Sequence, residues 1–255
     1  MDADRTVYVY GVVPAAEPSP IKVPGVQDAE VRTVRHGGLA ALTSHVQGET
    51  LVAAREVRAH WRVLDEASQD RTVLPIRFGT VLESEEAVRE QLLEPNAERL
   101  EALLRGLAGC VQLSVKGSYD EERLLRDVVT RSPAIAELRD RLRTVPGEAG
   151  YYERIRLGEL VASEIERRRG EDTRLVYGRL QPLAKDAIDE QAADPNTAFN
   201  LAFLLARNAQ PEFSKAVSSL AKELGERVEI RFVGPLPPYS FASAELHAAA
   251  STSWA

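Results

Sequence analysis

Residues equipped for chemistry are few in this chain, and they are scattered. Four histidines stand at 36, 45, 60 and 247, and a single cysteine at 110. A histidine metal centre needs two or more imidazoles converging with a carboxylate, through spacings such as H-E-x-x-H. No such spacing occurs. His36 falls in a Gly-Gly turn, His60 in a helical stretch beside Trp61, and His247 in an Ala-rich tail. They read as surface or hydrogen-bonded histidines, and no metal is expected. Cys110 would need a neighbouring base or a helix N-terminus to become a nucleophilic thiolate. Its neighbours are Gly109 and Val111, so a small buried side chain is the expectation.

Phosphate chemistry has no more support. There is no GxxxxGK[ST], and neither Gly37-Gly38 nor the glycines at 106 and 109 stand in a GxGxxG context. The acidic pairs Glu85-Glu86 and Glu121-Glu122 point in different directions on a helix, where exposed acids at the positive end of the dipole explain them. No catalytic residue and no cofactor is assigned, and the chain is not expected to be an enzyme.

Binding is better represented. Arg77 and Phe78 lie between Pro75 and Gly79; Arg77 reads either as an anchor for an acidic partner or, preferably, as half of an internal salt bridge at a sheet edge. In Gly234-Pro235-Leu236-Pro237-Pro238-Tyr239-Ser240-Phe241, consecutive prolines impose an extension without internal hydrogen bonds. Leu236, Tyr239 and Phe241 can then meet an apolar groove on a partner, or fold back as a latch on this chain's own helices. A third candidate, the helical stretch 151–169, carries Arg154, Arg156 and Arg167-Arg168-Arg169 beside an apolar stripe. Such a helix suits a membrane surface, but Glu153, Glu159, Glu164 and Glu166 dilute the field. It reads as a solvated helix packed on its own domain.

Composition sets limits on these sites. At 255 residues the chain is long for one core and natural for two domains. A net charge of −7 argues against a dedicated nucleic-acid binder, which needs a surplus of Lys and Arg. One cysteine excludes an intramolecular disulfide. With no apolar run after Met1-Asp2-Ala3-Asp4-Arg5 and no stretch near the ~20 apolar residues that span a bilayer, a cytoplasmic protein without membrane insertion is expected.

Alternation and helical spacing supply the elements. Residues 6–13 are rich in Val and Tyr and read as a strand, followed by a Pro-rich loop over 14–24. Strands over 30–35 and 39–43 flank the turn at 36–38. A helix over 51–71 presents Val57, Trp61, Leu64 and Ala67 on one face. Residues 73–82 read as a strand, with Pro75 suggesting an edge or bulge. Ser84 is an N-cap candidate. Pro95 should break that helix, with Leu100, Leu103, Leu104 and Leu107 forming the buried face of the next. A boundary at 109 separates domain 1–109 from domain 110–241, with a flexible tail at 242–255. The second domain opens with the alternating strand of Val111, Leu113 and Val115, then has helices at 121–131, 133–143, 150–169 and 172–180. Gly170 is the stop between the last two. A strand through Phe199, Leu201, Phe203 and Leu205, a helix over 210–224 and an alternating strand of Val228, Ile230 and Phe232 complete it. Helices beside partly antiparallel sheets make the class α+β.

Two segments carry a family resemblance. They are Val73-Leu74-Pro75-Ile76-Arg77-Phe78-Gly79-Thr80-Val81-Leu82 and the stretch from Ala198-Phe199-Asn200-Leu201-Ala202-Phe203-Leu204-Leu205 to Arg231-Phe232-Val233-Gly234 and the Pro-rich end at Phe241. With Val7-Tyr8-Val9-Tyr10-Gly11 at the start, the chain resembles the gas vesicle protein F/L family, accessory proteins made alongside the vesicle shell protein. The resemblance implies two α+β domains, each a mixed or antiparallel sheet with helices on it, the second a ferredoxin-like variant. It further implies a role in nucleating or building the vesicle, with the hydrophobic shell protein and other accessory proteins as partners, in the cytoplasm and associated with gas vesicles. A minor structural component of the finished vesicle, or a small-ligand or enzymatic ferredoxin-like protein, are the alternatives. Oligomeric state is not readable.

Overall fold

The computed structural model describes residues 5–16, 20–48, 53–145, 149–190, 194 and 196–242. By compactness the chain forms two units, one of residues 1–113, 204–207 and 234–255, the other of 114–203 and 208–233. The division is not the contiguous one expected from sequence, because residues 234–242 group with the first unit. Ala242 is buried; the rest of the expected tail, His247 included, lies outside the described residues.

The first unit is built on β1 (Arg5–Pro14), whose Val and Tyr residues are buried on both faces. It pairs antiparallel with β3 (Leu39–Gln47), which pairs in turn with β2 (Arg32–His36) across the turn at Gly37-Gly38. On its other edge lie β4 (Leu74–Pro75) and β5 (Val81–Leu82). The expected continuous strand over 73–82 is therefore two short pieces. Pro75 has no N–H to extend the ladder, and Gly79, at φ +87, turns the chain where a side chain would strain it. Helix α1 (Ala54–Ser68) packs on this sheet through Ala59, His60, Val63, Leu64 and Ala67. That face differs from the expected one: Glu56 and His60 are inside, while Val57 is half-buried and Trp61 partly exposed.

Ser84 caps α2 (Glu85–Ala87), accepting the Ala87 N–H at 3.0 Å. Pro95 does not end the helical path. A π-helical stretch (Val88–Leu93) and a 3₁₀ turn (Glu94–Asn96) carry it into α3 (Ala97–Gly106), since Pro at the first positions of a turn gives up an N–H that has no partner there. Leu100, Leu104 and Leu107 are buried as expected; Leu103 is half-buried.

The second sheet has the order β7-β8-β6-β9, from β6 (Cys110–Tyr119), β7 (Asp186–Asp189), β8 (Thr197–Ala206) and β9 (Val228–Leu236). Between β6 and β7 run α4 (Glu121–Arg131), α5 (Pro133–Leu142) and α6 (Tyr151–Leu180); α7 (Gln210–Leu224) joins β8 to β9. Counting α4–α6 as one crossover, the series is β-α-β-β-α-β. Phe203 and Phe213 pack at 5.1 Å in this unit's core.

Gly170 does not stop a helix: α6 runs 30 residues through it, with Arg168 and Asp172 buried on either side. The N-terminal part of its expected apolar stripe, Tyr151 and Ile155, is exposed. In β9 only Val228 is fully buried, and Phe232 is partly exposed, its ring stacked 6.2 Å from that of Phe213. Strand β7, with two apolar residues between aspartates, was not foreseen.

Candidate interaction surface

Helix α1 reaches the sheet through polar contacts as well as apolar ones. His60 is 1% exposed, and its Nδ1 lies 2.9 Å from the Tyr8 hydroxyl. That hydroxyl also accepts the Gly79 N–H at 3.1 Å, so Tyr8 joins helix α1 to the chain at Gly79. Tyr10 donates to Ser44 Oγ at 2.9 Å and accepts the Val26 N–H at 2.8 Å. The Glu56 carboxylate accepts the Gln27 N–H at 2.7 Å, and Glu66 accepts those of Lys22 and Val23. The helix thereby holds the loop before β2 by its backbone.

Burial sets the charge state of this interior. It pushes the His60 pKa from 6.5 down to about 4, and it raises those of Tyr8 and Tyr10, with the backbone N–H groups of Gly79 on Tyr8 and Val26 on Tyr10 acting in the opposite direction. At neutral pH all three groups are uncharged. A proton shuttle needs a group that titrates near the working pH, and none of these does, so the cluster is suited to holding α1 in place.

A chain of rings runs outward from it. Phe78 lies 5.5 Å from His60 and 6.1 Å from Tyr8, edge-on in both cases. His60 meets Trp61 at 6.2 Å, and Trp61 meets Tyr239 at 5.4 Å. Trp61 is 37% exposed, while Phe78, Tyr239 and Leu236 are half-buried. The segment holding Tyr239 is clamped by Gln112, whose amide donates to Ser240 Oγ and accepts the Ser240 N–H, both at 2.9 Å. Phe241 is 5% exposed.

Of the sequence candidates, the structure joins Phe78 to Tyr239 through His60 and Trp61. Phe241 lies in the interior. Arg77 is exposed and makes no ion pair among the described residues, so the internal salt bridge preferred from sequence is not formed; its carbonyl instead accepts from Thr80. The sequence reading missed His60 as the link. Its signal was the alternation of Tyr8 and Tyr10, two hydroxyls on one strand face that need buried partners.

Elsewhere His45 faces Glu85 at 3.1 Å, and Cys110 is buried. Among the described residues no group of three or more His, Cys, Asp or Glu is placed to hold a metal ion, and no helix is long and apolar enough to cross a membrane.

The family model for gas vesicle synthesis protein GvpL/GvpF matches residues 6–243. The chain belongs to the GvpL/GvpF family. It is 34% identical over 239 residues to gas vesicle protein F of Streptomyces sp. (strain CB03234), covering 92% of this chain and 99% of that one. The crystal structure of GvpF from Anabaena sp. PCC7120 superposes with a TM-score of 0.81 at 30% identity, over 93% of this chain and 98% of the other. That of GvpF from Microcystis aeruginosa gives 0.78 at 28% identity, with the same coverage. The chain is thus a gas vesicle-related protein of α+β fold, as the resemblance implied.

Proposed function

We propose that the chain acts in gas vesicle assembly by binding the hydrophobic shell protein, in the cytoplasm and together with other accessory proteins. The observation carrying this reading is the row Phe78–His60–Trp61–Tyr239, an aromatic strip anchored in a rigid interior and opening to solvent at Trp61. Aromatic side chains fixed in place lose little entropy on binding and dominate interface energetics. An unassembled shell subunit carries apolar surface that aggregates unless covered. Arg77, exposed beside Phe78, adds a guanidinium with no competing carboxylate among the described residues to meet an acidic group on the subunit.

Family membership supports the vesicle context, and the uncharged Tyr8–His60–Tyr10 interior supports binding over catalysis. The test is direct. Purified chain added to refolding shell protein is expected to keep it in solution at near-stoichiometric ratio, and unchanged aggregation would count against the reading.

A further inference from the structure

The second unit gathers four guanidinium groups at one place. Arg123, Arg126, Asp127, Glu226 and Arg227 line an open cleft of about 450 Å³, and Arg168 stands 3.3 Å from Asp127. Helix α4 supplies Arg123, Arg126 and Asp127 one helical turn apart, so all three fall on one side of it. Arg227 comes from the turn before β9, and Arg168 from α6.

The carboxylates nearby are already engaged. Glu226 pairs with Arg123. Asp172 accepts from Arg227 Nη2 at 2.6 Å and from the Tyr119 hydroxyl at 2.7 Å. Asp127 serves Arg168. Arg126 spends its Nε on the Glu122 carbonyl, 3.2 Å away, and has no carboxylate among the described residues.

Hydrogen-bond acceptors are short here. Arg168 is 3% exposed, yet neither of its terminal nitrogens has a hydrogen-bond partner among the described residues; the buried Nε of Arg227 has none either. Buried donors without acceptors are costly, and more so on a charged group. An oxyanion brings what is lacking, namely several lone pairs in the planar geometry a guanidinium fork matches.

We propose that this cleft is a binding site for a small oxyanion, a phosphate or a carboxylate, held chiefly by Arg126 and Arg227. The site is separate from the aromatic strip and does not depend on shell binding.

Calorimetric titration of the full chain with sodium phosphate, and separately with sodium acetate, at fixed ionic strength tests it. Saturable binding of at least one anion is expected. Arg126 is exposed, so Arg126→Ala should fold normally and weaken binding about tenfold, the loss of roughly one charge-assisted hydrogen bond. Arg58→Ala, which removes an exposed arginine of α1, should bind as the parent does. Phosphate binding without acetate binding names a phosphate site, and the reverse a carboxylate site. No saturation by either up to roughly 20 mM, well above a millimolar Kd, overturns the proposal. So does undiminished binding in Arg126→Ala, or an equal loss in Arg58→Ala.

Discussion

The indole of Trp61 and the ring of Tyr239 stand 5.4 Å apart at 51°, so the Pro-rich segment after β9 rests on helix α1. The contact gives that segment a structural role and leaves Trp61 at the rim between interior and solvent. Tyr239→Ala should lower unfolding free energy by about 1–2 kcal/mol, the scale of an aromatic pair with partial burial. In a Trp254→Phe background, Trp61 emission should shift to the red. Urea unfolding and fluorescence check both, and an unshifted spectrum would mean that Tyr239 does not cover Trp61.

Acid should loosen the first unit through His60. Its folded pKa, about 4, lies below the ordinary 6.5, so the unfolded chain binds the proton first. Stability from this group is full above pH 6.5 and falls as pH drops toward 4, by roughly 3 kcal/mol in all. His60→Gln, which keeps a hydrogen-bonding partner for the Tyr8 hydroxyl, should flatten the slope between pH 5 and 7. Denaturant unfolding at several pH values measures it; an unchanged slope would assign the effect to other groups.

Gly117 of β6 is fixed by packing, because a Cβ there would sit 2.5 Å from the Phe199 ring. Gly117→Ala should cost about 1–3 kcal/mol through overpacking and lower the thermal midpoint of the second unit. An unaltered midpoint would show that the ring moves aside freely.

Asp172 ties α6 to β6 and to the turn before β9 through Tyr119 and Arg227. Asp172→Ala leaves the half-buried Arg227 guanidinium and the buried Tyr119 hydroxyl without their acceptor, at a cost of about 1–3 kcal/mol. Asp172→Asn, which retains an acceptor, should cost less. Thermal unfolding of the two variants checks the order, and equal midpoints would contradict it.

Most elements were legible because their periodicity is plain. The hairpin at Gly37-Gly38, the cap at Ser84 and the alternation of Val111, Leu113 and Val115 are local signals that local structure obeys. Failures came where a polar residue is buried with a partner distant in sequence. Hydropathy put Trp61 on the buried face of α1 and left His60 as a surface or hydrogen-bonded histidine; Tyr8, fifty-two residues away, turns the helix to bury the histidine. Gly170 reads as a stop until Arg168 and Asp172 are seen held on either side of it. The arginine cleft is illegible for the same reason, since α4, α6 and the turn before β9 meet only in three dimensions. Phe78 and Tyr239 were singled out separately, and only the fold shows the rings that connect them.

Shell-protein capture by the Trp61 rim tests the central claim most directly. The chain and the major shell protein from the same gene cluster would be co-expressed, affinity-captured and run on gel filtration, beside Trp61→Ala. A soluble complex of defined size with the parent chain, lost or reduced at least tenfold with a folded Trp61→Ala, is the predicted result. Insoluble shell protein in both cases, or an undiminished complex with Trp61→Ala, would contradict it.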